Sequence, residues 1–239
     1  MVNTGRSEAG KAKRGADTRR EILEAARRAF GDRGYDRTSM AEIAAQVGVV
    51  EGALYKHFPG KRELLLEATR AYLAPRFDAT RQQLVGVTGT RNRLRFVIFR
   101  HLREFIDDPG ICRLVIQEIR ASDDYIKSAL RTLLRSHTEL LVGILEDAAT
   151  AGELREGVQP AVVRDLVFGG IEHLAFRVLR RSGTIDADGL ADELTELIMR
   201  GVQLPEEPRA DADETRALRL QIDRLTSIVE TLERKLPQQ

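Results

Sequence analysis

The sequence predicts an all-α fold, and three observations carry that prediction. No window of the 239 residues sustains the alternation of a strand. Apolar runs of helical period are punctuated at Gly86, Gly89, Pro109-Gly110, Gly152, Gly157, Pro160 and Gly183. Residues 38–58 read as a short amphipathic helix, a glycine turn and a second short helix. The expected organisation is a flexible basic arm over 1–15 and a three-helix head over 16–76, with the helix-turn-helix at 39–58. A helical-bundle body follows over 77–203, then a linker over 204–213 and a coiled-coil helix over 214–236.

The elements follow in order. A first helix is expected over about 18–32, with Thr18 and Glu21 as its capping box. A second spans 39–47, where Ser39 with Glu42 repeats that pattern and Met40, Ile43, Ala44 and Val47 form the apolar stripe. Gly48 suits a sharp turn needing positive φ. The third helix, 50–57, turns Leu54 and Phe58 inward, which leaves Ala53, Tyr55, Lys56 and His57 outward. Val50 cannot accept a bond from the helix amides, so this helix lacks a side-chain cap, an omission of roughly 1 kcal/mol. Glu51 offsets part of that through the helix dipole. A fourth helix starts near Lys61, and Pro75 is expected to kink or break it where head meets body.

The body reads as helices near 91–107, 111–121, 123–151, 160–181 and 187–202. Beyond the proline-containing stretch 203–209, Leu218, Leu225 and Leu232 fall at d positions of a heptad, and Ile222, Val229 and Leu236 at a. β-Branched residues at a with Leu at d favour a parallel two-stranded coiled coil.

Charge is unevenly spread. The net formal charge is +1, yet residues 1–62 carry 13 Lys/Arg against 8 Asp/Glu, and the remainder 25 against 29. A basic head on a mildly acidic body suits docking on nucleic acid by one end. The basic arm could reach a minor groove or phosphates. A single cysteine, Cys112, excludes an intrachain disulfide framework and reads as a buried structural thiol. No apolar run approaches the ~18 residues of a membrane span. Residues Met1–Lys13 lack an apolar signal core, so a soluble cytoplasmic protein is expected.

Enzymatic constellations are missing. His57, His101, His137 and His173 are scattered without metal-ligand spacing, one cysteine excludes a cysteine zinc cluster, and no phosphate-cradling glycine loop or nucleophile elbow occurs. No cofactor and no metal are expected. Apolar helices of the body interleave polar residues, as a small-molecule pocket requires. The ligand-binding candidates are Phe96, Phe99, His101, Phe105, Leu114, Gln117, Glu118, Phe168, Glu172 and Phe176.

The residues of the head, Thr18 through Ala26, Phe30, Gly34-Tyr35, Thr38-Ser39, Ile43-Ala44, Val47-Gly48-Val49, Gly52 through Phe58 and Lys61 to Leu64, resemble the TetR family of bacterial transcriptional regulators. Val50 departs from the small polar residue usual there. The resemblance implies a homodimeric regulator, most often a repressor, whose two recognition helices enter successive major grooves of a pseudo-palindromic operator. The implied DNA-binding residues are Thr38, Ser39, Val50, Gly52, Ala53, Tyr55, Lys56, His57 and Lys61. Thr38, Tyr55 and Lys61 are assigned to the backbone, and Ala53 and Lys56 to base edges. His57 either contacts phosphate or closes the helix end. Dimerisation is expected through 160–181 and 187–202.

More weakly, residues 114–122 and 166–172 are similar to family members that sense long-chain acyl-CoA in fatty-acid degradation. That similarity implies an apolar tunnel and basic groups for the CoA phosphates, with Arg93, Arg95, Arg100, Arg103, Arg113 and Arg120 as candidates. A regulator of drug efflux or catabolism with a non-lipid ligand, and a DNA-binding assembly module without ligand, are the alternatives.

Overall fold

A computed structural model describes residues 4–179, 183–204 and 220, and among these the fold is helical throughout. The head comprises α1 (Thr4–Arg33), α2 (Met40–Val47), α3 (Glu51–His57) and the start of α4 (Lys61–Leu84). The body adds α5 (Thr90–Asp107), α6 (Pro109–Leu114) continuing into a π-helical turn (Val115–Ile119), α7 (Asp123–Ile126), α8 (Ala129–Thr150), α9 (Pro160–Leu179) and α10 (Ala187–Val202). The heptad segment of the tail lies outside the described residues.

Two apolar cores hold these helices. The first joins Ile22, Ala26 and Phe30 of α1 to Ile43 of α2, Leu54 of α3 and Leu64 and Leu65 of α4. It continues without a break into Ile111, Leu114, Val115 and Ile119 of α6 and its π-turn. The second lies among α5, α8, α9 and α10, around Leu94, Ile98, Leu102, Leu141, Ile144 and Ile171. The head therefore shares its core with α6. Full burial of such a side chain stabilises by about 1.5–3 kcal/mol, so α6 and the head are strongly held together.

Five expectations are corrected. Helix α1 begins at Thr4, where an arm without regular structure was expected; the Ala, Lys, Arg and Glu residues there are good helix formers. Thr18 consequently lies inside α1 and caps nothing. Pro75 does not break α4, which runs through it to Leu84. Leu73 and Phe77 are buried on either side, and Arg76 donates to Tyr72 O at 2.9 Å while lying 3.6 Å over the Tyr72 ring. That packing outweighs the backbone bond lost at proline. The helix expected over 123–151 is divided at Ser128, whose hydroxyl accepts from Arg131 N at 3.2 Å and caps α8. The helix expected from 111 starts at Pro109 instead, with Asp108 accepting from Ile111 N at 3.0 Å.

Candidate DNA face and effector cavities

Helices α2 and α3 form the helix-turn-helix. Ser39 Oγ accepts from Glu42 N at 3.2 Å, and the Glu42 carboxylate accepts from Ser39 N at 2.8 Å, which closes the capping box. The Ser39 amide holds the exposed Glu42 carboxyl below its usual range. Gly48 ends α2 at φ 74°, a left-handed conformation that costs a glycine little. Val50 stands at the start of α3, 77% exposed, with no side-chain bond to the helix.

Leu54 and Phe58 are buried, and Tyr55 and Lys56 are exposed. Ala53 and His57 are half-buried. Gly52 is exposed, and a Cβ added there would meet nothing of the protein. Lys61 is half-buried, with its ammonium 4.3 Å from the Tyr35 ring centroid. Thr38 is corrected: it is 2% exposed, and its hydroxyl lies 3.1 Å from Ala29 O and 2.9 Å from Gly34 O. It ties the α1–α2 turn together from inside and has no hydroxyl to offer a phosphate.

Three cavities of the body share Glu172 in their lining. One outer cavity, about 530 Å³, is lined by Arg120, Arg131, Arg135 and Arg164 with Tyr125, Phe168 and Glu172. Another, about 880 Å³, is lined by Ile116, Gln117, Gly169, Glu172, His173, Phe176 and Arg177. Both fall in the size range of small-molecule sites. The inner cavity, about 40 Å³, lies among Leu73, Phe77, His101, Glu104, Phe105, Ile111, Cys112, Val115, Ile116, Leu134, Arg120 and Glu172. Arg120 Nη1 donates to both Glu172 oxygens, at 2.7 and 2.9 Å, so this pair stands where inner and outer spaces adjoin.

Of the ligand candidates, His101, Phe105, Gln117, Phe168, Glu172 and Phe176 line these cavities. Phe96, Phe99, Leu114 and Glu118 do not. Phe96 and Phe99 pack on the second core and Leu114 belongs to the first, while the Glu118 carbonyl accepts from Arg62 at 3.1 Å. Among the candidate arginines, Arg120 lines two of these three cavities. Arg93 pairs with Asp147, Arg95 with Asp188 and Asp192, and Arg103 with Asp107. Arg100 donates to Thr80 Oγ1 at 3.2 Å, and Arg113 is exposed.

Sequence reasoning missed Arg62, Glu104, Arg131, Arg135, His137 and Arg164. His137 of α8 stacks on Phe77 at 3.8 Å between ring centroids and lies 6.0 Å from His101 of α5. Two histidines scattered in sequence thus become neighbours across the bundle. Burial raises the Glu104 carboxyl and pushes the Cys112 thiol up, so both favour their protonated forms. Among the described residues no group of three or more His, Cys, Asp or Glu could hold a metal ion. No described helix is long and apolar enough to cross a membrane.

The segment α6 with its π-turn joins cavities to head. A Cβ on Gly110 would come within 2.6 Å of Gly31 O, so α6 and α1 touch backbone to backbone. Arg27 of α1 pairs with Asp108 at 2.6 Å. Arg62, one residue beyond Lys61, donates to Glu118 O at 3.1 Å and Ile119 O at 3.4 Å, and also contacts Ser122 Oγ.

Comparison with known proteins agrees with this architecture. The family model for bacterial regulatory proteins of the tetR family matches residues 22–68, and the model for the C-terminal region of YsiA-like proteins matches residues 72–201. The chain is 22% identical over 182 residues to the fatty acid metabolism regulator protein of Bacillus subtilis strain 168, covering 76% of this chain and 94% of that one. A crystal structure of FadR from Bacillus subtilis with stearoyl-CoA superposes with a TM-score of 0.68 at 22% identity, covering 77% of this chain and 98% of that one. A solved structure described as the molecular basis for control of antibiotic production by bacterial hormones is 33% identical. Its TM-score is 0.61, and the match covers 79% of this chain and 98% of that one. The chain belongs to the TetR family and is a DNA-binding transcriptional regulator rather than an enzyme.

Proposed function

We propose that this regulator is a dimeric repressor that leaves its operator when a long-chain acyl-CoA, or a closely similar anionic lipid, enters the body. One observation carries the reading. The α6–π segment that lines the inner cavity is the same segment that grips the head through Gly110, Asp108 and the Arg62 acceptors. A ligand that displaces Ile111, Val115 or Ile116 must move a wall to which the head is bonded. It then favours the head spacing in which that wall is displaced, to the extent that it binds that state better.

Arg131 lines the outer cavity beside Arg120, Arg135 and Arg164, which pair with Glu172, Glu139 and Asp165; an anionic headgroup would exchange these carboxylates for phosphate oxygens, which guanidinium binds in a fork. The similarity to the stearoyl-CoA-binding structure supports an acyl chain in the apolar part. At about 40 Å³ the inner cavity does not hold such a chain as it stands, so binding requires it to open.

In this reading Ser39, Val50, Gly52, Ala53, Tyr55, Lys56, His57 and Lys61 face DNA. Val162, Leu166 and Leu197, which are 50%, 71% and 69% exposed on α9 and α10, pack against the same helices of a second copy. The heptad spacing of 214–236 supports further pairing of copies through the tail.

The test follows fluorescence anisotropy of a labelled operator, selected from a random duplex pool, as ligand is added. Hexadecanoyl- or octadecanoyl-CoA should release the DNA, and free CoA should not. If no acyl chain length changes the isotherm, the lipid effector is refuted.

A further inference from the structure

The inner cavity contains polar groups that a plain hydrocarbon leaves unserved. His101 lines it, with Phe105 edge-on at 5.4 Å and Phe168 edge-on at 4.5 Å, and His137 stands behind the lining, 6.0 Å from His101 and stacked on the lining residue Phe77 at 3.8 Å. All four imidazole nitrogens are shut off from solvent and lack a hydrogen-bond partner. Burial, then the nearby His137 and Arg120, holds His101 well below the usual histidine range. Burial, then Arg81 and Arg100, lowers His137 to about 4. Both rings are neutral at pH 7, and a neutral imidazole presents one donor and one acceptor.

We infer that His101 and His137 bind an uncharged oxygen, a hydroxyl or keto group, carried on the hydrocarbon part of the effector. The inference rests on the lipid reading above and narrows it from a bare acyl chain to an oxygenated one. Buried polar groups are costly unless they are hydrogen-bonded, and a methylene chain would leave these four dry. A hydroxyl donates and accepts, so it can bond one nitrogen of each ring, and a keto oxygen can accept from the N–H of both. An anion would be costly here, because the space is buried and Arg120 already donates to both Glu172 oxygens. The present space suits about one water molecule. Entry of a chain therefore requires the cavity to open.

The experiment uses the full chain with ¹⁵N-labelled histidine, of which there are four. The probes are hexadecanoyl-CoA and its 3-hydroxy, 12-hydroxy and 16-hydroxy derivatives. At least one hydroxylated probe should bind about tenfold more tightly than the parent, the scale of one well-placed hydrogen bond. It should also shift the ring nitrogen resonances of His101 and His137. In His101→Phe and His137→Phe, which keep an aromatic ring in place, that advantage should largely vanish while the parent still binds. The wild-type resonances decide the question even if a variant does not fold. Equal affinity for parent and all hydroxylated probes overturns the inference and leaves the lipid reading standing; it would mean that a buried water serves the rings. Failure of every probe to bind removes both.

Discussion

Lys56 and Lys61 show how single residues divide the work of DNA binding in the proposed complex. Lys56 is exposed between the buried Leu54 and Phe58, on the outward side of α3. Lys56→Ala should weaken operator binding by about 1–3 kcal/mol and relax the sequence preference, because a lysine can bond guanine acceptors. Lys61→Ala should weaken all duplexes alike and reduce the salt slope by about one unit, as loss of a phosphate contact does. Isotherms at several salt concentrations separate the two, and unchanged binding in both variants would remove these assignments. His137 makes a different prediction. Its folded pKa of about 4 lies below the ordinary 6.5, so between these values the unfolded chain takes up a proton that the folded one refuses. The stability from its neutral form is complete above pH 6.5 and is lost as pH falls toward 4, by about 2 kcal/mol at pH 5. His101 acts in the same direction. Thermal melts from pH 7.5 to 5 should show this loss, and His137→Phe should flatten it; an equal pH slope in the variant contradicts the assignment.

At the scale of elements, α3 is short and uncapped. Val50→Ser should add the missing acceptor and stabilise the protein by about 1 kcal/mol, or about 3 °C in Tm. An unchanged Tm would show that Glu51 and the packing of Leu54 already fix the helix start. The elements most legible in sequence are those with local causes. The Ser39–Glu42 box, the Gly48 stop and the Leu54–Phe58 pair act within a few residues, and each is found as expected. The course of α4 through Pro75 was hidden, because burial of Leu73 and Phe77 decides it and burial is a property of the assembled helices. For the same reason Thr38 was misjudged: its partners, Ala29 O and Gly34 O, belong to a turn whose shape no spacing reveals. In the body, periodicity found the helices but not which faces meet. It proposed Phe96 and Phe99 for the cavity, and it missed His137, which only the crossing of α4, α5 and α8 brings beside Phe77 and His101.

At the scale of the molecule, one segment serves two tasks. The core of the head extends into α6 and its π-turn, and the inner face of that segment is the cavity wall. A π-turn breaks the regular bonding of a helix and often marks functional sites; here it carries both the Arg62 acceptors and, one residue on, Arg120. In the proposed dimer, the exposed apolar residues of α9 and α10 are the surface on which the second copy packs, which would hold the two heads at a fixed spacing. The most direct test is native mass spectrometry of the full chain with its selected operator, with octadecanoyl-CoA added in steps. The account predicts two chains on one duplex, then a DNA-free dimer carrying acyl-CoA, and with Leu166→Asp a monomer that no longer holds the duplex. One chain per duplex, or a complex that stays on DNA with acyl-CoA bound, would contradict it.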